Sequence, residues 1–240
     1  MAATAAGARA LLDEGRLDEA VDALGAELRD NPGDARTRTF LFELLCFAGR
    51  YDRAEKQLDV VAGASKETEL GAWLYRSALH AERTRQELFA AGRAPQGDGG
   101  RPVAGRLNGR EFASLTDADP RLGARLEVFA AGQYTWIPFA QLASVRMEAP
   151  ARLRDLLWAP ARVQAAPAFQ DTELGEVLLP ALCPLSWRHA EGEVRLGRVT
   201  DWEDGPGGDA VPVGQKLLLV DGEPVSFLEV RELEIHPDPA

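Results

Sequence analysis

Residues 35–61 read ARTRTFLFELLCFAGRYDRAEKQLDVV, an apolar helical stretch that one glycine separates from a second, more charged helix. The same pattern of helix, glycine and second helix occurs 34 residues earlier, in LLDEGRLDEAVDALGAEL. Five identities align the two copies at this single offset: Gly15 with Gly49, Arg16 with Arg50, Asp18 with Asp52, Ala20 with Ala54, and Leu24 with Leu58. The stretch is therefore one unit of an internal repeat.

A period of 34 residues is that of the tetratricopeptide repeat, a helix-turn-helix unit with small residues where its two helices cross. Pro32 closes the first copy as this pattern requires. The glycine is predicted to end helix A, because only glycine takes positive φ without a steric penalty. Ala20 and Ala54 are predicted to let helix B lie close to helix A. The alternative is a pair of unrelated amphipathic hairpins.

The repeat pattern fades after two copies. Lys66 replaces the closing Pro32, and Arg83 occupies the place of a third glycine. Residues 66–91 nevertheless predict a third helical element that caps the open face, since two repeats bury little surface alone. Its candidate packing residues are Leu70, Trp73, Leu74, Leu79 and Leu88.

Composition narrows the class of protein. The chain has 240 residues and a formal charge of −11 spread over both halves, which opposes nucleic acid as a partner because phosphate contacts need clustered lysine and arginine. The N-terminus resembles no signal peptide, and no long apolar run predicts a membrane span. We expect a soluble protein that is not exported. Cys46 and Cys183 are too few for a disulfide framework and are predicted to be packed thiols.

A change in amino-acid composition marks the predicted domain boundary. The segment APQGDGGRP at residues 94–102 interrupts the helical period with glycine, proline and aspartate. We predict a tetratricopeptide-like helical domain at residues 1–93, a linker at 94–102, and a β-rich domain at 103–240.

Short extended runs follow the linker. Asn108-Gly109 predicts a two-residue hairpin, and a second hairpin is predicted around Gly132. Residues 153–158 (LRDLLW) predict a short helical turn, whereas residues 202–212 are interpreted as a mobile surface loop. The βαβ alternation typical of parallel sheets is absent from the sequence, so the expected fold is α+β with a mixed or antiparallel sheet. The further predicted strands are 143–148, 161–166, 175–180, 194–202, 216–220 and 224–235.

The sequence contains few candidates for chemistry. Three histidines stand far apart, and the zinc, phosphate-loop, dinucleotide and nucleophile-elbow motifs are all missing. The acidic run at residues 201–204 is a solvated loop rather than a calcium site, because its spacing lacks the required ligands. The tryptophans are interpreted as packing residues. We therefore predict no enzymatic activity, no cofactor and no metal.

Two longer blocks carry a resemblance to a known family. The blocks ARTRTFLFELLCFAGRYDRAEKQLDVVA at residues 35–62 and WIPFAQLASVRMEAPARLRDLLWAPARVQ at residues 136–164 resemble the ImpE family, also called TagJ, accessory proteins of bacterial type VI secretion clusters. The resemblance covers nearly the whole chain. It implies a cytoplasmic, noncatalytic accessory of the contractile sheath that associates with an N-terminal helix of the small sheath subunit TssB and with the ClpV ATPase.

A binding groove can be assigned on repeat geometry, because the A helices of tetratricopeptide repeats line a concave surface that accepts a partner helix or peptide. Within this groove Phe47 and Trp73 have an alternative role as core residues, and Arg36 as the partner of a local carboxylate. The predicted lining residues are Arg9, Asp13, Arg36, Thr39, Glu43, Phe47, Trp73, Ser77 and His80.

Three functions remain open at this point. The first is a protein-binding accessory of the sheath, and the second is a scaffold or chaperone-like adaptor for another secretion or effector partner. The third is an enzyme hidden in the β-rich half, which would require a concave pocket with convergent polar groups.

Overall fold

The computed structural model describes residues 5–63, 66–95, 100–169, 174–205 and 208–236. Within these ranges the N-terminal part is helical and the C-terminal part is rich in strands, as expected. None of the described helices is long and apolar enough to cross a membrane.

Five helices form the N-terminal part. They are arranged as two antiparallel hairpins followed by one long helix: α1 (Ala5–Asp13), α2 (Leu17–Asp30), α3 (Ala35–Phe47), α4 (Tyr51–Ala62) and α5 (Lys66–Ala90). The Asp34 carboxylate caps α3 by accepting from the backbone N–H of Arg36 at 2.9 Å.

The two repeat glycines occupy equivalent turns. Gly15 and Gly49 have φ of +76° and +66°. The N–H of the following arginine donates to the carbonyl five residues back, at 2.9 Å for Arg16 and 2.8 Å for Arg50. These bonds satisfy helix-end carbonyls in the same way in both repeats. The prediction that each glycine ends helix A is confirmed.

Helix α5 ends with the same glycine-containing turn. Gly92 has φ of +66°, and the N–H of Arg93 donates to the Leu88 carbonyl at 2.8 Å. A third Gly-Arg pair is therefore present, but it comes 43 residues after the second rather than 34 because α5 is longer. The next element among the described residues is a strand, so α5 is a third A helix without a B helix.

The packing residues predicted on α5 divide into two groups. Leu79 is buried and Leu88 is partly buried, as expected. The prediction is wrong for Leu70, Trp73 and Leu74, which are exposed. The physical reason is orientation, because Ala72 in the same part of α5 is buried, whereas these three side chains lie on other sides of the helix. Ala20 and Ala54, in contrast, are fully buried where the hairpin helices cross.

The β-rich half is built from antiparallel pairs. An eight-stranded sheet has the order β2-β1-β13-β6-β7-β8-β4-β5, and two smaller sheets have the orders β10-β9 and β12-β11-β3. The strands are β1 (Gly105–Leu107), β2 (Arg110–Phe112), β3 (Leu115–Asp117), β4 (Arg125–Ala130), β5 (Gln133–Pro138), β6 (Leu142–Met147), β7 (Trp158–Ala165), β8 (Gly175–Pro180), β9 (Thr200–Asp204), β10 (Ala210–Gly214), β11 (Leu217–Val220), β12 (Glu223–Ser226) and β13 (Glu232–Ile235).

Both predicted hairpins are confirmed. Asn108 and Gly109 join β1 to β2 with φ of +48° and +82°, and Ala131 and Gly132 join β4 to β5 with φ of +49° and +79°. Positive φ at both central residues matches the twist of antiparallel strands.

Three local predictions are wrong. Residues 224–235, expected as one extended segment, form the two strands β12 and β13, because a 3-10 turn at Phe227–Glu229 separates them. Residues 202–212, expected to be a loop, belong largely to the β9–β10 hairpin, although residues 206–207 lie outside the described part. The sequence concealed this strand because every β9 residue from Asp201 onward is exposed and leaves no apolar alternation. Val194, expected in a strand, lies in the short helix α6 (Gly192–Arg195).

The two halves share a hydrophobic core. Phe42 and Leu79 of the helices pack in one cluster with Phe129, Trp158 and Leu196 of the β-rich half. A second cluster lies within the β-rich half alone. Residues 96–99 of the predicted linker lie outside the described residues, and the domain boundary stays a prediction.

Candidate protein-binding groove

The surface between α3 and α5 is the groove that the repeat pattern predicts, and we call it the helical groove. Both helices are antiparallel to α4, so they run in the same direction. The rings of Phe42 and Tyr75 lie 6.1 Å apart, which fixes the register of the two helices. Counting back from this pair, Thr39 is level with Ala72. The N-terminal ends of α3 and α5 therefore form one end of the groove, its outer half.

The inner half of the helical groove is filled by the protein itself. A 3-10 turn at Leu153–Leu156, which we call the resident turn, lies over it. The Arg154 guanidinium is 4.7 Å from the Tyr75 ring, and its Nη1 is 3.5 Å from Glu43 Oε1. The helical turn expected at residues 153–158 exists as Leu153–Leu156, and it lies over the predicted groove.

Trp158 anchors the chain directly after this turn. Its ring lies 6.4 Å from the ring of Phe42 and 6.5 Å from that of Tyr75. Its Nε1 donates to Glu82 Oε2 at 3.0 Å. Because both the apolar body and the polar tip of this tryptophan have partners, it is a fixed part of the shared core.

The environment of Glu43 is unfavourable to its charge. Burial raises the pKa of the Glu43 carboxyl, while Arg154, Arg9 and Arg152 oppose the rise and Asp155 adds to it. Arg9 therefore lies near enough to Glu43 to influence it, although its own guanidinium sits 5.5 Å from the Phe40 ring. The inner half of the groove therefore contains the buried carboxylate of Glu43, and three arginines lie close enough to lower its pKa.

The outer half of the helical groove is open. Leu70 is 71% exposed and Leu74 is 44% exposed. They are spaced i, i+4, so they lie on one side of α5. At 3.6 residues per turn, Leu70 points about 140° and Leu74 about 100° away from Tyr75, so both lie beside the groove rather than within it. On α3, Arg36 is exposed and Thr39 is half-buried. The N-terminal end of α5 therefore presents apolar side chains next to the groove, and α3 presents a cation.

The nine predicted lining residues fall into separate places. Arg9 and Asp13 are exposed on α1, Glu43 is covered by the resident turn, and Phe47 is buried in the shared core. The core role left open for Phe47 is the one that the structure shows. Whether the remaining residues contact a partner stays a prediction.

On α5 the predicted face differs from the one that meets α3. At 3.6 residues per turn, Trp73 points about 160° away from Tyr75, and Tyr75 is the residue that contacts Phe42. Trp73 and His80 are accordingly exposed, and Ser77 lies against Gly132 in the β4–β5 turn. The residues that sequence reasoning missed are Leu70, Leu74 and Tyr75. The signal for the two leucines was their i, i+4 spacing, which was interpreted as core packing.

A buried ionic joint holds the orientation of α5 against the β-rich half. Arg85 donates from Nε and Nη2 to the two carboxylate oxygens of Glu127 at 2.7 and 2.8 Å, and Lys216 Nζ lies 2.6 Å from both Glu127 Oε2 and Asp117 Oδ2. Tyr134 donates to Glu127 at 2.7 Å. Burial alone would raise the pKa of Glu127, but Arg85 and Lys216 hold it well below its usual value.

A second segment of the β-rich half docks on the repeat turns. A methyl group on Gly49 would overlap the Trp187 ring, and one on Gly192 would overlap the Gly15 carbonyl. Arg195 Nη1 is 2.6 Å from Asp18 Oδ2. The repeat glycines are therefore required for close packing as well as for positive φ.

The described β-rich half contains two cavities that bear on the enzyme alternative, and the smaller, of about 460 Å³, is lined by Arg146, Glu148, Arg162 and Glu176 among others. The larger cavity, of about 840 Å³ at one end of the large sheet, is lined mainly by apolar residues such as Val103, Leu142, Phe169 and Ile235. His236 is the one titratable side chain among its described lining residues. Across the described residues, histidine, cysteine, aspartate and glutamate form no group that could hold a metal ion. Nothing in the larger cavity resembles convergent acid–base chemistry.

Helical hairpins with glycine-capped A helices define a tetratricopeptide-like protein, and a family model for the tetratricopeptide repeat matches residues 11–72. The chain belongs to the ImpE family, whose model, described as ImpE protein, matches residues 109–234.

One relative supports this assignment, and one solved structure shares the fold. The type VI secretion system accessory component TagJ of Pseudomonas aeruginosa is 34% identical over 97% of this chain and 92% of its own length. The crystal structure of protein VPA1032 from Vibrio parahaemolyticus has a TM-score of 0.82 at 21% identity and covers 96% of this chain and 98% of its own. The second comparison shows that the whole two-part fold is shared.

Proposed function

We propose that this chain is a noncatalytic accessory component of a type VI secretion system, acting in the bacterial cytoplasm. In this proposal it binds the N-terminal helix of the small sheath subunit TssB and acts with the ClpV ATPase in sheath turnover. Membership of the ImpE family and the name of the Pseudomonas relative support the role in secretion. The helical repeats support protein binding as the activity.

The observation that carries the binding proposal is the exposed apolar patch that Leu70, Trp73 and Leu74 form on α5 beside the helical groove. Leu70 and Leu74 are exposed on a helix whose other leucine in this stretch, Leu79, is buried. Exposed apolar side chains grouped in this way mark protein interaction sites. An amphipathic helix would place its apolar residues on the two leucines, with Trp73 and Arg36 at the edges of the contact.

Calorimetric titration of a synthetic TssB N-terminal helix peptide tests this surface. Leu74→Asp, Trp73→Ala and Arg36→Glu are each expected to weaken binding, the first by at least about tenfold, because anchor residues dominate such interfaces. Only variants that keep the wild-type melting temperature and circular dichroism are compared.

The chain offers a matched control for the tryptophan. Trp202 in β9 is 48% exposed, close to the 59% of Trp73, but lies in the β9–β10 hairpin of the other half. Trp202→Ala is expected to bind the peptide as the wild type does. Normal binding by all three groove variants would remove the helical groove from the proposal. Failure of wild-type protein to retain TssB in a pull-down would favour the general adaptor instead.

A further inference from the structure

The resident turn has the pattern of a bound helical peptide. Leu153, Leu156 and Leu157 are spaced i, i+3, i+4, the pattern by which an amphipathic helix presents anchors to a groove. All three pack against the shared core. The protein therefore fills the inner half of its own helical groove with the kind of segment that the outer half leaves room for.

The residues of the turn are less deeply buried than the two residues that follow it. Leu157 and Trp158 are buried, whereas Leu153, Arg154, Asp155 and Leu156 are all only partly buried. The firm anchor lies after the turn, and the turn itself covers the groove with half-buried side chains.

The polar contacts of the turn with the groove are poor for so enclosed a site. The side chains of Arg154 and Glu43 are 18% and 11% exposed, yet their closest approach is 3.5 Å, longer than a charge-assisted hydrogen bond. Arg154 Nε finds no acceptor among the described residues. Enclosed charges with incomplete partners contribute little net stability.

The internal hydrogen bonds of the turn are independent of the groove. Asp155 Oδ2 accepts from the backbone N–H groups of Ala151 and Arg152, both at 2.9 Å. Leu157 N–H donates to the Arg154 carbonyl at 3.0 Å. Because these bonds lie within the turn, they do not hold it in the groove, and they become exposed to solvent when the turn leaves.

We propose that the resident turn is a built-in competitor for the helical groove. A partner helix that enters the groove from the N-terminal ends of α3 and α5 displaces this turn and brings a basic side chain to Glu43 in place of Arg154. The inference rests on the proposed function, since it concerns the same groove. It specifies the partner segment as an amphipathic helix with apolar anchors and a lysine or arginine beyond them.

If the turn competes with the partner, loosening the turn should tighten partner binding. The apparent affinity equals the intrinsic affinity multiplied by the fraction of molecules whose groove is open. Arg154→Ala removes the charged and cation–π contacts of the turn with the groove but leaves its leucines, Glu43 and Tyr75 in place. It is expected to bind the TssB helix peptide at least about threefold more tightly than wild type. The gain should disappear in the double variant Arg154→Ala/Glu43→Gln.

Arg162→Ala is the matched control, because it removes the same charge from an exposed residue of β7 that pairs with Glu176 and not with the groove. It is expected to leave affinity unchanged. Hydrogen exchange supplies a second measurement: saturating peptide should accelerate exchange of the Asp155 and Leu157 amides, while amides in the centre of β7 keep their protection.

The outcomes separate the two proposals. If wild type binds the peptide and Arg154→Ala binds equally or more weakly, the competitor role is overturned while the proposed function stands. Increased protection of the resident turn on binding also overturns it. If neither wild type nor Arg154→Ala binds, the proposed partner and the inference that rests on it both fail.

Discussion

Helix α5 places Leu70 and Leu74 in solvent in its N-terminal half and buries Glu82 and Arg85 in its C-terminal half. This distribution inverts the usual one, in which leucine is inside and charged residues are outside. The buried charges are paired across the shared core, where they fix the angle between helices and sheet. The exposed leucines have no such internal partner among the described residues. One helix is thus a joint at one end and a candidate docking surface at the other.

The largest expected effect tests the joint. Glu127→Ala leaves Arg85 and Lys216 buried without their shared carboxylate, which should reduce the free energy of unfolding by about 3 to 5 kcal/mol. Chemical denaturation measures it. The control Glu176→Ala removes an exposed partner of Arg162 and should cost under about 1 kcal/mol. Equal effects would show that the buried pair is no different from a surface pair.

A matched pair of leucines tests the comparison on α5 directly. Leu79→Ala creates a cavity in the shared core and should cost about 2 to 4 kcal/mol, whereas Leu74→Ala should change stability by under about 0.5 kcal/mol. Urea unfolding of both variants provides the measurement. A substantial loss in Leu74→Ala would mean that this side chain is packed, and the docking surface would lose its main support.

The pH dependence of stability tests Asp117, which contacts Lys216 in the buried ionic joint. Burial raises the pKa of Asp117 to about 6, with Lys216 opposing the rise and Glu127 adding to it. Because the pKa of Asp117 in the folded protein exceeds its ordinary value of 3.8, stability from the protonated form is present at low pH and is lost as pH rises through about 6.

Asp117→Asn removes this titration. Relative to the variant, wild type should lose about 1 to 3 kcal/mol of unfolding free energy between about pH 4 and pH 7. Urea unfolding at a series of pH values measures the difference. Parallel curves for the two proteins would contradict a raised pKa for Asp117.

The smallest expected effect uses two glycines with the same backbone angle. Gly49 and Gly92 both have φ of +66°, but only Gly49 is pressed against a side chain, that of Trp187. Alanine at either position incurs the left-handed backbone penalty of about 1 to 2 kcal/mol. Gly49→Ala should lose roughly 1 kcal/mol more through overpacking. Equal melting temperatures would remove Trp187 as a cause.

The repeats could be predicted from sequence because their determinants are local. A glycine at positive φ and an alanine at a helix crossing leave the same trace in each copy. The third Gly-Arg pair was overlooked because a fixed 34-residue step points to Arg83, whereas α5 continues to Ala90. The same assumption of regular repeats assigned Trp73 to the groove in place of Tyr75.

The contents of the groove could not be predicted in this way. The short helical turn at residues 153–158 was expected, but its position over α3 and α5 depends on contacts between residues more than a hundred positions apart in the chain, such as Arg154 with Glu43. Arg85 and Glu127 likewise look like surface residues until the fold brings them together. Local patterns identify elements, and only packing shows which charged residues are enclosed.

The segment that docks on the repeat turns has a consequence for how this chain can change length. Trp187 meets the turn at Gly49, and Gly192 meets the turn at Gly15. Arrays of helical repeats ordinarily gain or lose units freely, since each unit contacts only its neighbours. Here the five residues that follow Trp187 span the distance from one repeat turn to the other. A unit inserted between the two repeats would separate these turns beyond the reach of that stretch, so the number of repeats is set by the β-rich half.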